Sequence, residues 1–416
     1  MKSIAIRLTT VLTIILLMAV FPSFSGAKEK FIKFGVIAPM SGPAAGWGIP
    51  IKRGFEVFAD DVNARGGIKI GEETYKIQPL VYDDKGFIPA ESLKAVKKGL
   101  LQDGTKYFLG TPTTAVVEAV MPFLAQHDAL LLTWGAGGGI RPEWPNLIGT
   151  NVAWPQFHTV NMQSAAKRHP NIKRVAITQE ESPWAPDDKL WAELACEAAG
   201  FEIVYSGFHP GDTIDWNPLL TTMLAKKPDL IFLGACPPAT MPHILAAGRN
   251  LGYTGFWYSD NWKIDEITAK VPIEYLNGCI GPKPDFDDPA VGETVNRLHA
   301  EYLRRWPGEW SGDAFASWPS YSVIVQGMKL AQSIEPIAVR KALKSMKAIE
   351  HPLLGKSRWG GKEIYGVDNF LMTPVYCGEI TDGKFHVVDI LPFADWYETN
   401  KDLVIKRYKE TGRLRK

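Results

Sequence analysis

Three short segments hold the residues whose types and spacing could do chemistry. Thr111-Pro112-Thr113-Thr114 follows an apolar run at 106–109 and immediately precedes a helical pattern over 114–126. Hydroxyls placed there can cap the helix, or bind a ligand carboxylate beside the exposed backbone N–H groups, and one loop has room for both roles. Trp134-Gly135-Ala136-Gly137-Gly138-Gly139 closes a second apolar run at 129–133. It superficially suggests a dinucleotide loop. However, Ile140 stands where the third glycine is required, and Arg141-Pro142-Glu143-Trp144-Pro145 cannot start a helix in the needed place. Asp260 ends a third run, 255–259, within Tyr258-Ser259-Asp260-Asn261-Trp262. An acid there suits a ligand cation sealed away from water, which loses hydration and needs a charged, hydrogen-bonded partner. It equally suits a cap for the helix that follows.

Catalytic patterns are missing from the sequence. The eight histidines (127, 158, 169, 209, 243, 299, 351 and 386) show neither HExxH nor paired metal spacing, and no G-x-S-x-G elbow occurs. Asp83-Asp84 are adjacent on a strand pattern, so their side chains point to opposite faces and cannot act as a pair. The expectation is a binding protein that is not an enzyme and uses no cofactor or metal.

The elements that must position these residues alternate regularly. Phe31 to Ala38 reads as a strand, Pro39 to Gly48 as a flexible loop, and about Ile51 to Ala64 as an amphipathic helix stopped by Arg65-Gly66-Gly67-Ile68. A strand feeding a loop at a helix start is where open α/β sheets hold ligands. Strand patterns at 33–38, 76–82, 106–109, 129–133, 173–178, 202–207, 229–233, 255–259 and 276–280 alternate with helical ones. That spacing predicts parallel sheets built of right-handed βαβ units. Proline and glycine cluster near 150 and again at Gly281-Pro282-Lys283-Pro284. Beyond them, helices are expected near 289–305, 312–333 and 336–347, followed by a β-rich tail.

Residues 1–27 carry Lys2 and Arg7, an apolar run from Leu8 to Phe21, and Ser25-Gly26-Ala27 as a small-residue cleavage site. This is the pattern of a signal peptide cleaved near Ala27, implying a periplasmic protein. Its removal leaves 389 residues, enough for two domains, and takes the formal charge from +1 to −1. A balance so near neutral lacks the basic face that a nucleic-acid partner needs. Cys196, Cys236, Cys279 and Cys377 lack metal-type spacing. They stand either as buried thiols or as a disulfide in an oxidising compartment.

Ser41-Gly42-Pro43, Trp47-Gly48, Asn63-x-x-Gly66-Gly67-Ile68, Tyr82-Asp83-Asp84 and the two loops above occur in an order that resembles the leucine/isoleucine/valine-binding protein family. These are periplasmic receptor subunits of ABC importers. The resemblance implies an α/β fold of two Rossmann-like lobes with parallel central sheets, joined by a three-segment hinge (the type I periplasmic binding fold). It places lobe one at 28–150 plus 283–362 and lobe two at 151–282 plus 363–416. It further implies that Thr113 or Thr114 and the turn at Ala136 and Gly137 hold a ligand carboxylate. Asp260 would pair with a ligand ammonium, and Trp47 and Trp184 would cover the ligand side chain. The implied ligand is an amino acid, branched-chain or larger, and the implied partner is an inner-membrane permease, with the receptor a monomer. Two departures bear on the ligand. Gly137 replaces the family's usual hydroxyl residue, and Cys236-Pro237-Pro238 stands where an aromatic is common. They leave open an amine-free aromatic carboxylate or amide as ligand, and more distantly a ligand-sensing domain or an extracellular enzyme.

Overall fold

The computed structural model describes residues 29–42, 44–110, 113–134, 139–151, 153–182, 184–234, 236–283, 286–287 and 291–415. The expected signal peptide at 1–27, and Ala136 and Gly137, lie outside them. The strands are β1 (Lys30–Ala38), β2 (Ile68–Ile70), β3 (Glu73–Asp83), β4 (Tyr107–Gly110), β5 (Leu130–Trp134), β6 (Leu147–Asn151), β7 (Arg174–Glu180) and β8 (Glu202–His209). They continue with β9 (Leu230–Gly234), β10 (Phe256–Tyr258), β11 (Cys279–Gly281), β12 (Ile349–His351), β13 (Gly355–Gly360), β14 (Phe370–Met372), β15 (Pro374–Thr381) and β16 (Lys384–Pro392).

Among the described residues these strands form two sheets. The first runs β12-β13-β14-β6-β5-β4-β1-β3-β2, the second β16-β15-β11-β10-β9-β7-β8. Pairing is parallel through the middle of each sheet and antiparallel at its added ends, β2, β12 and β13 in the first, β15 and β16 in the second. Helices cover both faces, so the central strands are buried on both sides. Leu130, Leu131 and Leu132 are all fully buried, as are Leu230 to Leu233. Two-sided burial turns such a strand into an unbroken apolar run, which made these strands readable in the sequence.

The chain crosses between the sheets three times: after β6, after β11, and at Thr373 between β14 and β15. The sequence placed the last crossing at 362, whereas Phe370–Met372 is still a strand of the first sheet. The crossings are tied together. Gln156 Oε1 accepts from both the N–H (2.6 Å) and the hydroxyl (2.9 Å) of Thr373, and the Asn369 amide donates to the Leu147 carbonyl (2.9 Å).

Helix Ala45–Ala64 starts earlier than expected and carries Trp47 and Gly48 in its first turns. A Cβ at Gly48 would lie 1.9 Å from the Pro39 carbonyl oxygen, and one at Gly54 would lie 1.9 Å from that of Ala314. Glycine at both points lets the helix lie directly on the loop before it and on the turn Gly312–Phe315. The chain also closes with a helix, Phe393–Glu410, where the sequence reading ended on strands. Its buried residues Phe393, Trp396, Tyr397, Val404 and Tyr408 do follow a helical period. All four cysteines are buried free thiols.

Candidate functional site

The loops at the carboxyl ends of the two parallel sheets face each other and enclose a cavity of about 180 Å³. A wider groove of about 790 Å³ adjoins it and shares Lys283, Phe286 and Gly312. Eight aromatic side chains line the cavity. Trp47, Phe87, Trp134, Phe286 and Phe315 pack with the first half, Trp154 and Phe157 come from helix Ala153–Arg168, and Trp184 precedes helix Ala185–Ala198.

Trp47 and Phe87 owe their positions to the acidic pair. Asp83 accepts from the Met40 N–H (2.9 Å), the Ser41 hydroxyl (2.7 Å) and the Lys85 N–H (2.8 Å), tying down the loop that leads into the Trp47 helix. Asp84, fully buried on the opposite side, accepts from the N–H groups of Gly86 (3.2 Å) and Phe87 (3.0 Å). The turn it organises is left-handed at three successive residues, Lys85, Gly86 and Phe87. For Phe87 that conformation is strained, and the strain aims its ring into the cavity. There it meets Trp47 (centroids 6.2 Å) and Trp184 (6.1 Å, edge-on), so a ring from each half closes over the space.

The polar lining is sparse. Asp260 and Asn261 come from the second half, Lys283 from the crossing that follows β11, and Asp313 from the first half. The Asn261 amide donates to Asp260 Oδ1 (3.0 Å), and the Lys283 ammonium donates to the Trp262 carbonyl (2.6 Å). Burial pushes the Asp260 carboxyl up to about 6; the His158 imidazole and the Lys283 ammonium pull it down, and the Asp188 carboxylate pushes it further up. Burial likewise lowers the Lys283 ammonium, which Asp313 and Asp260 partly restore. Beneath Asp260, His158 is held between Asp188 (2.5 Å) and the Tyr258 hydroxyl (2.9 Å). Two further links join the halves. The Thr114 hydroxyl donates to Asp187 (3.1 Å), and the Lys263 ammonium donates to the Gly46 carbonyl (3.1 Å).

Of the residues singled out in the sequence, Trp47, Trp184 and Asp260 line the cavity together. Thr113 and Thr114 are not on its lining. Thr113 is buried and its Oγ1 accepts from the Val116 N–H (3.3 Å), an N-cap, while Thr114 is engaged by Asp187. Sequence reasoning missed Phe87, Lys283, Asp313 and His351. The turn glycine of Lys85-Gly86-Phe87 was the available signal for the first; the others carried none. The residues can hold a small, largely apolar body against rings, with two carboxylates, an amide and one ammonium at the polar wall. Among the described residues no cluster of three or more histidine, cysteine or acidic side chains could bind a metal.

A family profile described as periplasmic binding protein matches residues 32–384. A Leu/Ile/Val-binding protein, BraC3, of Rhizobium johnstonii is 27% identical over 349 residues, covering 81% of this chain and 90% of that protein. Among solved structures, the closed Leu-, Ile-, Val-, Thr- and Ala-binding protein of Brucella ovis superposes with a TM-score of 0.73 at 17% identity, covering 88% of this chain and 96% of that one. A solute-binding protein of an R. palustris ABC transporter, in complex with 4-hydroxybenzoate, superposes with a TM-score of 0.69 at 19% identity, covering 87% and 97%.

Proposed function

Since this chain belongs to the periplasmic binding protein family and has its type I fold, we propose that it is the periplasmic, non-enzymatic receptor of an ABC importer, capturing an amino acid, branched-chain or larger and best with an aromatic side chain. The observation that carries this is the cavity itself, eight aromatic rings around about 180 Å³ with Asp260 in the wall. Rings of that number favour a flat apolar body. Asp260 supplies the partner for an ammonium that the closing halves strip of water. The ligand carboxylate is assigned to the 111–114 loop and the Ala136-Gly137 turn. Because the Thr113 and Thr114 hydroxyls are already engaged, and Thr113 takes the Val116 N–H as well, the carboxylate is proposed to meet the backbone N–H groups of Thr114 and Ala115 in the first turn of helix Thr114–Leu124. Trp47 and Trp184 cover the side chain. Ligand contacts to both halves favour the closed form, which a permease would recognise.

One observation favours a second reading. Lys283 shares the wall with Asp260 and could neutralise an amine-free aromatic acid, the class to which the 4-hydroxybenzoate of the R. palustris protein belongs. Refolded, ligand-free protein screened by thermal shift against aliphatic amino acids, aromatic amino acids and amine-free aromatic acids separates the two. A ligand at about 100 times its Kd adds about 2.7 kcal/mol of stability. Asp260→Asn is expected to weaken an amino acid by about 30-fold or more, following the ~2–5 kcal/mol cost of an unpaired buried charge. It should leave an amine-free acid nearly unchanged. Undiminished amino-acid binding by Asp260→Asn would end the ammonium-anchor proposal.

A further inference from the structure

Lys283, in the crossing that follows β11, lines both the cavity and the groove that adjoins it. The side chain is part-buried, and among the described residues its ammonium has one hydrogen bond, to the Trp262 carbonyl at 2.6 Å. An ammonium carries three donors, so two are unused. Asp313, Asp260 and Glu266 act on it only at longer range, with no ion pair formed, and burial lowers its pKa. Asp313 is committed elsewhere, 3.5 Å from the Lys263 ammonium and accepting from the Ser311 hydroxyl at 2.7 Å. Asp260 is assigned to a ligand ammonium, and the ligand's first carboxylate to the 111–114 loop. The space beside Lys283 is open. A Cβ built on Gly312, which also borders cavity and groove, would meet nothing nearer than the Phe286 ring at 3.8 Å and Lys283 Cε at 4.0 Å. Gly312 opens an ordinary helical turn and has no positive φ, so the backbone does not demand glycine there. What the missing side chain leaves is room next to the ammonium. When the halves close and water departs, a cation with one carbonyl for company is costly.

We propose that the Lys283 ammonium binds a second acid group at the distal end of the solute, in the open space beside Gly312, so that this receptor selects aromatic solutes carrying two carboxylates over their mono-acid counterparts. The proposal rests on the cleft reading above and names the ligand class within it. Filled in this way, the site leaves no charge alone. The solute ammonium meets Asp260, its first carboxylate meets backbone N–H groups, its second meets Lys283, and Lys263 keeps Asp313. A mono-acid instead seals Lys283 away with the Trp262 carbonyl as its partner, and a site built to pair a group rejects a ligand that lacks it.

Ligand pairs differing by one distal acid group test this: 4-carboxyphenylalanine against phenylalanine, and terephthalate against benzoate, by calorimetry on refolded protein. For whichever pair binds, wild type is expected to prefer the diacid by about tenfold or more. The uncharged amide 4-carbamoylphenylalanine controls for added bulk and should gain nothing over phenylalanine. Lys283→Met keeps the length of the side chain without its charge. It should melt near or above wild type and erase the preference. Lys283→Arg restores a cation and should recover part of it. A wild type without preference overturns the proposal, as does an amide that binds as well as the acid or a Met variant that keeps the preference. Equal losses for both members of a pair in Lys283→Met also overturn it, because they would put the ammonium on the shared carboxylate. Failure of wild type to bind either pair would instead bring down the cleft reading, and this proposal with it.

Discussion

At the residue scale, the proposed pairing of Asp260 with a ligand ammonium would make folding stability and ligand affinity respond to pH in opposite directions. Its folded pKa of about 6 lies above the carboxylate reference of 3.8, so the folded empty protein holds this proton more tightly than the unfolded chain. Its stabilising contribution is therefore complete below about pH 4 and is lost as pH rises through about 6. An ammonium ligand needs the ionised form. Calorimetric affinity for an amino acid is expected to rise about tenfold between pH 5 and pH 7, as the ionised fraction grows from about a tenth to about nine-tenths. Asp260→Asn should flatten that profile and stabilise the empty protein at pH 7. An affinity that falls over the same range would point to an anionic ligand without an amine. Phe87 makes a related trade, since the strain in its left-handed backbone is maintained by the two N–H bonds to Asp84.

At the scale of elements, helix Ala45–Ala64 contains a proline whose effect reaches across the cleft. Pro50 has no N–H to give the carbonyl four residues earlier, so the Gly46 oxygen is left without its helical donor. Lys263 from the opposite half donates to that oxygen, and its ammonium also lies 3.5 Å from Asp313. Its side chain is only 8% exposed, so the contact is not merely a solvated surface pair. Lys263→Met should remove this tie, shift the halves toward opening and weaken ligand about tenfold through a faster off-rate, measurable by stopped flow. An unchanged off-rate would show that the tie does not hold the closed form. The fully buried strands were legible because their composition is continuous, and the helices because their period is not that of a strand. β6 was not, since Leu147 and Ile148 sit among the prolines and glycines that also mark a boundary. The terminal helix was hidden by charge, although Trp396, Tyr397, Val404 and Tyr408 keep its apolar period.

At the scale of the whole molecule, the site is assembled from loops far apart in sequence, which limits what the chain order can disclose. Trp47, Trp184 and Asp260 were legible as strand-end or loop residues. Nothing in the spacing of His351 or Lys283 tells which way a side chain turns once two halves meet. The halves are joined by more than the three crossings. One continuous apolar cluster includes Phe108 and Val116 of the first half, Leu190 and Trp191 of the second, and Phe393 and Tyr397 of the terminal helix. The groove beside Arg53, Lys263 and Trp310 lies outside this cluster.

The aromatic lining has an optical consequence. Of fourteen tryptophans, Trp47, Trp134, Trp154 and Trp184 face the cavity. An indole emits further to the blue as water around it is replaced by an apolar body. Addition of a bound solute is thus expected to shift and change the intensity of the native emission, without any label. Trp184→Phe should reduce that signal while a calorimeter still records binding. A calorimetric signal with no change in emission would place the ligand away from these four indoles. Where the emission does shift, the rings proposed to hold the solute are also its gauge, reporting occupancy in real time from the unmodified protein.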